Sequence, residues 1–313
     1  MRATCLNMVY ELAKLDDRVV FLGSDLSPGL LEAMRREMPQ RWYMEGVSEA
    51  NIIGMAAGLA MDGYIPYVNT IATFITRRCF EQVVIDLCLH DLPVRLIGNG
   101  GGLVYAPLGP THLAIEDIVI MRSLPNMTVV AVCDAPEMTR FMHASLAWPH
   151  PIYVRLAKGG DPVVSRDDAG FSIGKAIPLY GSAGNRVALV STGVMTTRCL
   201  RAAKALAQAG VSVAVLHVHT VKPLDVETLL DFCAPAEAVI TVEEGVRAGG
   251  FGSSVLEVLA DALGPDLPLL VRLGLPDAFP EKYGSQDEQL EWYGLGAEHI
   301  VTAALKTVGS SPA

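Results

Sequence analysis

The residue of this sequence that is the strongest candidate for a chemical role is the acid Glu49, which lies just before an uncharged apolar segment. The ten residues 52–61, IIGMAAGLAM, carry no charge, and five of them are Gly or Ala. Because a helix that is apolar on every face is buried, we predict a buried helix with Glu49 at its mouth. Desolvation would disfavour the charged form of a carboxyl group at that place. A plain structural role, with Glu49 favoured by the helix dipole and Ser48 or Glu45 as cap, is the alternative.

Other reactive side chains follow segments that we predict to be strands. The segments DLSPG, NTIATF, GNGGGLVYAPLGPTH and RLAKGG each come after an apolar run. In parallel α/β sheets, ligands bind beyond the carboxyl ends of the strands. Together with Glu49, these loops would gather an aromatic ring, an imidazole and three cations: Phe74, His112, Arg77, Arg78 and Lys158. The sequence has no dinucleotide fingerprint, P-loop, His-Glu-x-x-His motif or nucleophile elbow. Spacing alone therefore predicts an α/β enzyme with an acidic and aromatic pocket.

The elements that must position these side chains alternate along the chain. Continuous Val, Ile and Leu runs alternate with helical patterns, which is typical of parallel sheets covered on both faces. We predict an α/β fold of two consecutive three-layer domains with mostly parallel sheets. The first domain would span residues 1–165, followed by a polar linker at 166–184 and a second domain at 185–313. Residues 75–90 are predicted as one helix, and residues 211–221 as one strand.

Composition narrows the class of protein. The chain has 313 residues and a formal net charge of −10, which argues against a nucleic-acid partner. We find no membrane-spanning run and no signal peptide. The six cysteines are scattered without Cys-x-x-Cys spacing, so we predict reduced core cysteines, a cytoplasmic location and no metal site. We expect His217 and His219 to be structural.

The segment around Glu49, GVSEANIIGMAAGLA, resembles the pyrimidine-binding segment of transketolase-like thiamine diphosphate enzymes. The resemblance continues through TFITRRCFEQ, GPTHLAIEDIVIMRSLPNMTVV and TVEEGVRAGGFGSSV to GLPDAFPEKYGSQDEQLEWYGL. It covers nearly the whole chain in collinear order. It implies a pyrimidine-binding domain followed by a transketolase C-terminal domain.

The resemblance also implies a role for individual residues around the cofactor. Glu49 would hydrogen-bond the aminopyrimidine nitrogen N1′ and so activate the cofactor, a task that needs a carboxyl group able to hold a proton. Phe74 would stack on the pyrimidine, and Phe80 would extend the apolar wall; ordinary core packing is the alternative for both. Asp25 and Leu26 match a pair near the cofactor ring, although Asp25 could instead cap its own loop. His112 would face the substrate.

The substrate side departs from the sugar-phosphate transketolases. Gly100 and Leu108 stand where those enzymes place a histidine and an aspartate that bind substrate hydroxyl groups. Leucine cannot accept a hydrogen bond, so we predict a less hydroxylated or differently substituted ketose or acceptor. Lys158 replaces a phosphate-binding arginine and keeps the charge without the bidentate fork. Arg77 is a further candidate cation for the substrate.

The resemblance implies that the diphosphate-binding part of the active site comes from another chain. In the family, Mg²⁺ or Ca²⁺ holds the cofactor diphosphate through a Gly-Asp-Gly…Asn segment, and this chain offers only Met61-Asp62-Gly63. We therefore predict the C-terminal subunit of a split enzyme, with an N-terminal diphosphate-binding partner in an α2β2 heterotetramer. Its reaction would be transfer of a two-carbon ketol unit from a ketose, with or without a phosphate group, to an aldehyde-type acceptor.

Two other classes of function stay open at this point. A decarboxylating relative, such as a 2-oxoacid dehydrogenase beta subunit or a deoxyxylulose-phosphate-synthase-like protein, is one. A non-catalytic scaffolding homologue is the other, although it would have no use for both Glu49 and His112. The second domain would serve packing and assembly, with Glu243, Glu244 and Arg247 as structural residues.

Overall fold

The computed structural model describes residues 1–24, 26 and 28–309. Within them, the first sheet has seven strands, of which only Thr220–Lys222 runs antiparallel to its neighbour. Most of the parallel strands are buried along their whole length, as expected for a sheet with both faces covered. In order across the sheet the strands are Thr220–Lys222, Thr128–Ala131, Ile152–Leu156, Arg95–Asn99, Ile65–Ile71, Val19–Gly23 and Trp42–Met44.

The second sheet has five strands within the described residues. Four are parallel, and Ile177–Tyr180 pairs antiparallel at one edge. In order across the sheet they are Leu269–Leu275, Ala238–Val246, Val187–Ser191, Val213–His217 and Ile177–Tyr180. The predicted fold of two α/β units with mostly parallel sheets is confirmed.

Helices cover both sheets. The described α-helices are Arg2–Leu15, Glu32–Glu37, Glu49–Met61, Phe80–Gln82, Asp117–Arg122, Ala135–Leu146, Met195–Gln208, Val226–Cys233, Phe251–Leu263, Gln286–Trp292 and Ala297–Thr307. Two π-helical segments, Phe74–Arg78 and Val83–Leu89, and five short 3₁₀ turns, Pro28–Leu31, Pro39–Arg41, Ala106–Leu108, Asp167–Ala169 and Gly264–Asp266, complete the set. Among the described helices, none is long and apolar enough to cross a membrane.

The apolar core joins the two sheets. One cluster lies under helices Arg2–Leu15 and Ala135–Leu146, and another lies under Met195–Gln208 and Ala297–Thr307. A third cluster runs between the sheets, from Ile52 and Leu96 to Val190 and Phe251. The two α/β units therefore share buried apolar surface.

Two predicted elements differ in the structure. Residues 211–221 form two strands in different sheets, Val213–His217 and Thr220–Lys222, rather than one. The helix predicted at 75–90 is a short α-helical stretch between two π-helical segments. An apolar run predicts that a segment is a strand but not which sheet it joins, and periodicity does not separate α from π turns. Strand Ile177–Tyr180 lies inside the predicted linker, and the limits at 165 and 185 stay a prediction.

The helix Glu49–Met61 is covered on one side only within this chain. Its buried face presents residues such as Ile52 and Ala56. On the other side, Met61 is 58% exposed. Cβ atoms built on Gly54 and Gly58 would meet nothing within 4 Å. Burial on every face, which the uncharged sequence predicts, is therefore not reached by the single chain.

Candidate active site

The Glu49 carboxylate is buried and is bound by a cation. Glu49 is the first residue of its helix, and its side chain is 2% exposed. Arg78 Nη1 donates a hydrogen bond of 2.8 Å to Glu49 Oε2. The neighbouring Ser48 makes no side-chain capping bond and instead donates to the Glu45 carbonyl oxygen. Glu49 thus faces the Phe74–Arg78 segment, which disfavours the simple capping role.

Arg78 also contacts the ring of Phe74. Its guanidinium carbon lies 4.1 Å from the centre of the Phe74 ring, a cation–π geometry. The Phe74 ring in turn meets His112 edge-on, with ring centres 5.4 Å apart. Glu49, Phe74, Arg78 and His112, here named the Glu49 quartet, are therefore joined by consecutive contacts. All four are among the residues that the sequence analysis expects at these loops, and three of them also have a role that the resemblance implies.

A π-helical turn and a loop that requires glycine at position 109 hold the Glu49 quartet in place. Phe74 and Arg78 begin and end the π-helical segment, a feature often found at functional sites. His112 follows Gly109, whose φ of 79° favours glycine, and a Cβ there would meet the Tyr283 ring at 2.8 Å. His112 Nδ1 shares a 3.0 Å hydrogen bond with Thr111 Oγ1. Tyr283 belongs to the second half of the chain, so that half helps to shape the loop.

The residues predicted to face the substrate lie in different environments. Gly100 is buried with φ of 70°, and a Cβ there would collide with the Tyr105 ring at 2.1 Å. Leu108 is 53% exposed. Lys158 is exposed beyond the end of strand Ile152–Leu156. Arg77 pairs with Glu116 and donates to the Leu113 carbonyl oxygen at 3.0 Å.

The remaining candidates for cofactor contact are not part of the quartet. Phe80 is half-buried and packs against the central apolar cluster. The Leu26 carbonyl oxygen accepts a 3.4 Å hydrogen bond from the Asn69 amide, at the end of strand Ile65–Ile71. Asp25 lies outside the described residues.

A cavity of about 610 Å³ lies beside the site. Arg77, Glu116 and Asp277 are its charged lining residues. Phe279 and Val246 are among its apolar ones. The lining thus comes from both halves of the chain. The sequence interpretation, which assigns packing and assembly to the second domain, missed this contribution.

A buried polar network supports the loop that carries His112. Arg155 Nε lies 3.2 Å from Asp117 Oδ2, and Arg155 Nη2 donates to the Glu244 carbonyl oxygen at 2.6 Å. Tyr153 donates to Asp117 at 2.6 Å. Glu244 Oε1 accepts a 2.8 Å hydrogen bond from the backbone N–H of Leu103. We name Asp117, Tyr153, Arg155 and Glu244 the interdomain network, because it ties this loop to the second sheet.

The acids predicted to be structural do serve structure. Glu243 accepts hydrogen bonds from the backbone N–H groups of Phe251 and Gly252, at the start of helix Phe251–Leu263. Burial raises the pKa of Glu243 to about 7. Burial also raises the pKa of Glu244.

A second buried cluster contains groups of the kind that bind metals. Ligand atoms of Cys133, Glu137 and His217 lie within 4.8 Å of one another. Glu137 Oε2 is already used, since it accepts from the Cys133 N–H at 2.7 Å and lies 2.9 Å from His217 Nε2. Although burial opposes ionisation, His217 lowers the pKa of Glu137 to about 2. The cluster joins helix Ala135–Leu146 to strand Val213–His217 by a hydrogen bond between Glu137 and His217, in keeping with a structural His217.

Comparison with known protein families shows to which family the chain belongs. The family model "Transketolase, pyrimidine binding domain" matches residues 1–160, and "Transketolase, C-terminal domain" matches residues 175–300. The chain belongs to the transketolase family. Its similarity is to the C-terminal subunits of enzymes that are split over two chains. The family implies use of thiamine diphosphate and a transferase activity.

Two curated relatives match along nearly their whole length. A 6-deoxy-6-sulfo-D-fructose transketolase subunit of Clostridium sp. (strain MSTE9) is 37% identical over 97% of this chain and 93% of its own. One of the apulose-4-phosphate transketolase subunits of Phocaeicola vulgatus is 32% identical over 98% of this chain and 97% of its own. A 1-deoxy-D-xylulose-5-phosphate synthase of Symbiobacterium thermophilum is 36% identical, but only 45% of its length is covered.

Solved structures agree with the fold. A split-gene transketolase described as an inactive β4 tetramer is 33% identical, superposes with a TM-score of 0.90 and matches over 99% of both chains. A transketolase of Pichia stipitis, 19% identical with a TM-score of 0.80, shares the fold over 45% of its own length.

Proposed function

We propose that this chain is the pyrimidine-binding subunit of a transketolase-like enzyme that transfers a two-carbon ketol unit from a ketose to an aldehyde-type acceptor. The observation that carries the proposal is the Glu49 quartet. It joins a buried carboxylate, a guanidinium group, an aromatic ring and an imidazole by consecutive contacts.

The quartet fits an aminopyrimidine ring. A ring nitrogen could hydrogen-bond the Glu49 carboxyl group while the ring stacks on the half-buried Phe74. When bound, thiamine diphosphate supplies the carbon nucleophile for the two-carbon unit. Glu49 would hold or release the proton at the pyrimidine nitrogen. His112 would hold or move a proton on the substrate oxygen, since an imidazole titrates near neutral pH.

The rest of each active site would come from a second chain. The sequence has no Gly-Asp-Gly segment for the diphosphate, and the open side of helix Glu49–Met61 is apolar and exposed around Met61. We infer that an N-terminal partner chain supplies the diphosphate site with its Mg²⁺ or Ca²⁺. We also infer an α2β2 assembly. The solved β4 tetramer described as inactive supports the idea that such chains need a partner.

The substrate would be a ketose unlike the ordinary pentose phosphates. The Tyr105 ring occupies the space beside Gly100, and Leu108 is apolar. Neither position therefore offers a group that can bind a hydroxyl. The names of two relatives specify a sulfonated sugar and apulose 4-phosphate. They support a ketose that is altered at the end away from the transferred two-carbon unit. Lys158 and Arg77 are the cations that we assign to an anionic substituent. The six free and buried cysteines support a cytoplasmic location.

Reconstitution tests the proposal. The chain is titrated with thiamine diphosphate and Mg²⁺ by calorimetry, alone and mixed with an N-terminal transketolase subunit encoded beside it. We expect tight binding and ketol transfer only in the mixture. Tight Mg²⁺-dependent binding by the chain alone would contradict the split site. Release of CO₂ from pyruvate would favour the decarboxylating class of relatives. Full turnover of xylulose 5-phosphate and ribose 5-phosphate would contradict the altered substrate.

A further inference from the structure

The guanidinium group of Arg78 makes two contacts at once. It donates a 2.8 Å hydrogen bond to the buried Glu49 carboxylate. It also lies over the Phe74 ring, with its central carbon 4.1 Å from the ring centre. A guanidinium is planar and carries N–H donors around its edge, so it can stack and donate at the same time.

An aminopyrimidine bound as proposed above would use the same two partners. Its ring would stack on Phe74, and its edge would hydrogen-bond Glu49. Both groups cannot occupy one face of Phe74 and one carboxylate oxygen together. The overlap rests on the proposed function, because it requires that Glu49 and Phe74 receive the pyrimidine.

We propose that Arg78 is a positioning residue that occupies the place on Glu49 and Phe74 where the pyrimidine would bind. It holds the Glu49 carboxylate and the Phe74 ring in their binding arrangement, and the incoming pyrimidine displaces it. Arg78 therefore sets the affinity for the pyrimidine by competing with it.

The surroundings of Arg78 allow it to leave. Its side chain is 44% exposed, although its partner Glu49 is 2% exposed. The adjacent Arg77 is fixed differently, by the Glu116 carboxylate and the Leu113 carbonyl oxygen. These two arginines carry the same charge on neighbouring positions, but only Arg78 is bonded to Glu49.

The test uses the full chain and a probe without the diphosphate, 4-amino-5-hydroxymethyl-2-methylpyrimidine. Its dissociation constant is measured by ligand-observed NMR for wild type, Arg78→Met and the control Arg166→Met, in which an arginine paired with Asp168 at an exposed place is changed in the same way. Methionine keeps an apolar stem but can neither ion-pair nor donate. We expect Arg78→Met to bind about three- to tenfold more tightly, since the ion pair and the cation–π contact no longer compete. Arg166→Met should match wild type.

A gain in affinity is a result that structural damage would not give. Unchanged or weaker binding by Arg78→Met, including no detectable binding by any of the proteins, would overturn the proposal. So would an equal gain in Arg166→Met, which would indicate a general charge effect. Should Arg78→Met fail to fold by circular dichroism, Arg78→Lys replaces it. Lysine keeps the charge without the planar group, so a smaller gain is expected and its absence overturns the proposal.

A further variant separates this inference from the proposed function. Adding Glu49→Ala to Arg78→Met should abolish the gain. If the double variant binds the probe as well as Arg78→Met does, Glu49 is not the pyrimidine partner and the proposed function fails. If Glu49→Ala weakens binding while Arg78→Met changes nothing, the function stands and the competition is wrong.

Discussion

The Glu49 quartet and the interdomain network each pair an arginine with an acid, but in opposite surroundings. Arg78 is 44% exposed and binds one carboxylate oxygen and one ring face. Arg155 is 8% exposed and is bonded to Asp117 and to two backbone carbonyl oxygens. The first arginine is accessible to solvent, and the second is enclosed on all sides by the two sheets and the connecting loop.

This difference separates the part of the molecule that exchanges partners from the part that fixes geometry. A half-exposed arginine can be replaced by a ligand, because water solvates its charge when it leaves its partner. A buried pair is costly to break, because the remaining charge has no water to solvate it. The interdomain network holds the loop of His112 in place, and the arginine of the quartet stays accessible to solvent.

Removing the buried cation should give the largest effect. Arg155→Met leaves the buried Asp117 without its cation, so we expect the free energy of unfolding to fall by about 3–5 kcal/mol. Urea denaturation followed by circular dichroism measures it. The control Arg166→Met breaks a pair with Asp168 in which both side chains are exposed, and should change little. Equal losses in the two variants would show that the interdomain network is no anchor.

A buried histidine between the sheets should make stability depend on pH. Burial lowers the pKa of His219 to about 4. As the pH falls from about 6.5 to about 4, the unfolded chain gains a proton that the folded chain does not. The stability supplied by neutral His219 is complete above pH 6.5, and about 3 kcal/mol of it is lost by pH 4.

Unfolding curves of His219→Gln and wild type between pH 4 and 8 check this expectation. The difference between the two curves is the quantity to measure, because Glu243, with a pKa near 7, acts with the opposite sign. The folded protein binds a proton at Glu243 between about pH 7 and 4.5, which raises stability on acidification. A pH-independent difference would mean that His219 does not titrate as a buried group.

The same substitution in the quartet should have the smallest effect on stability. Arg78→Met removes an arginine that is 44% exposed but leaves the buried Glu49 carboxylate without its cation. We therefore expect a loss in the free energy of unfolding that is smaller than the loss of about 3–5 kcal/mol expected for Arg155→Met. Urea denaturation beside Arg155→Met gives a direct comparison of one chemical change at two depths. A loss as large as that of Arg155→Met would show that Arg78 anchors the fold and is not free to leave.

Local patterns predicted much of this architecture. Buried strands such as Val187–Ser191 are continuous apolar runs, and Glu49 does begin its helix. Phe74 and His112 are 38 residues apart but follow neighbouring strands, so topology brings their loops together. Their rings are in contact in the structure, as their assignment to one pocket predicts.

The sequence did not predict which residues far apart in the chain form contacts. Arg77 and Arg78 are equivalent by composition, and only the π-helical turn decides which of them meets Glu49. The bond between Arg155 and Glu244 joins residues 89 positions apart. No local propensity encodes such a contact. Local propensity also does not encode that strand Thr220–Lys222 pairs in the first sheet and not in the second.

The most direct test of the account is Glu49→Gln in the complex reconstituted with the N-terminal subunit. Glutamine keeps the shape of the side chain but cannot exchange a proton with the pyrimidine nitrogen. We expect the ketol-transfer rate to fall about 10²–10⁴-fold. The free energy of unfolding should change by no more than about 1 kcal/mol. Activity within a few-fold of wild type would contradict a catalytic Glu49, as would a loss that only follows unfolding of the chain.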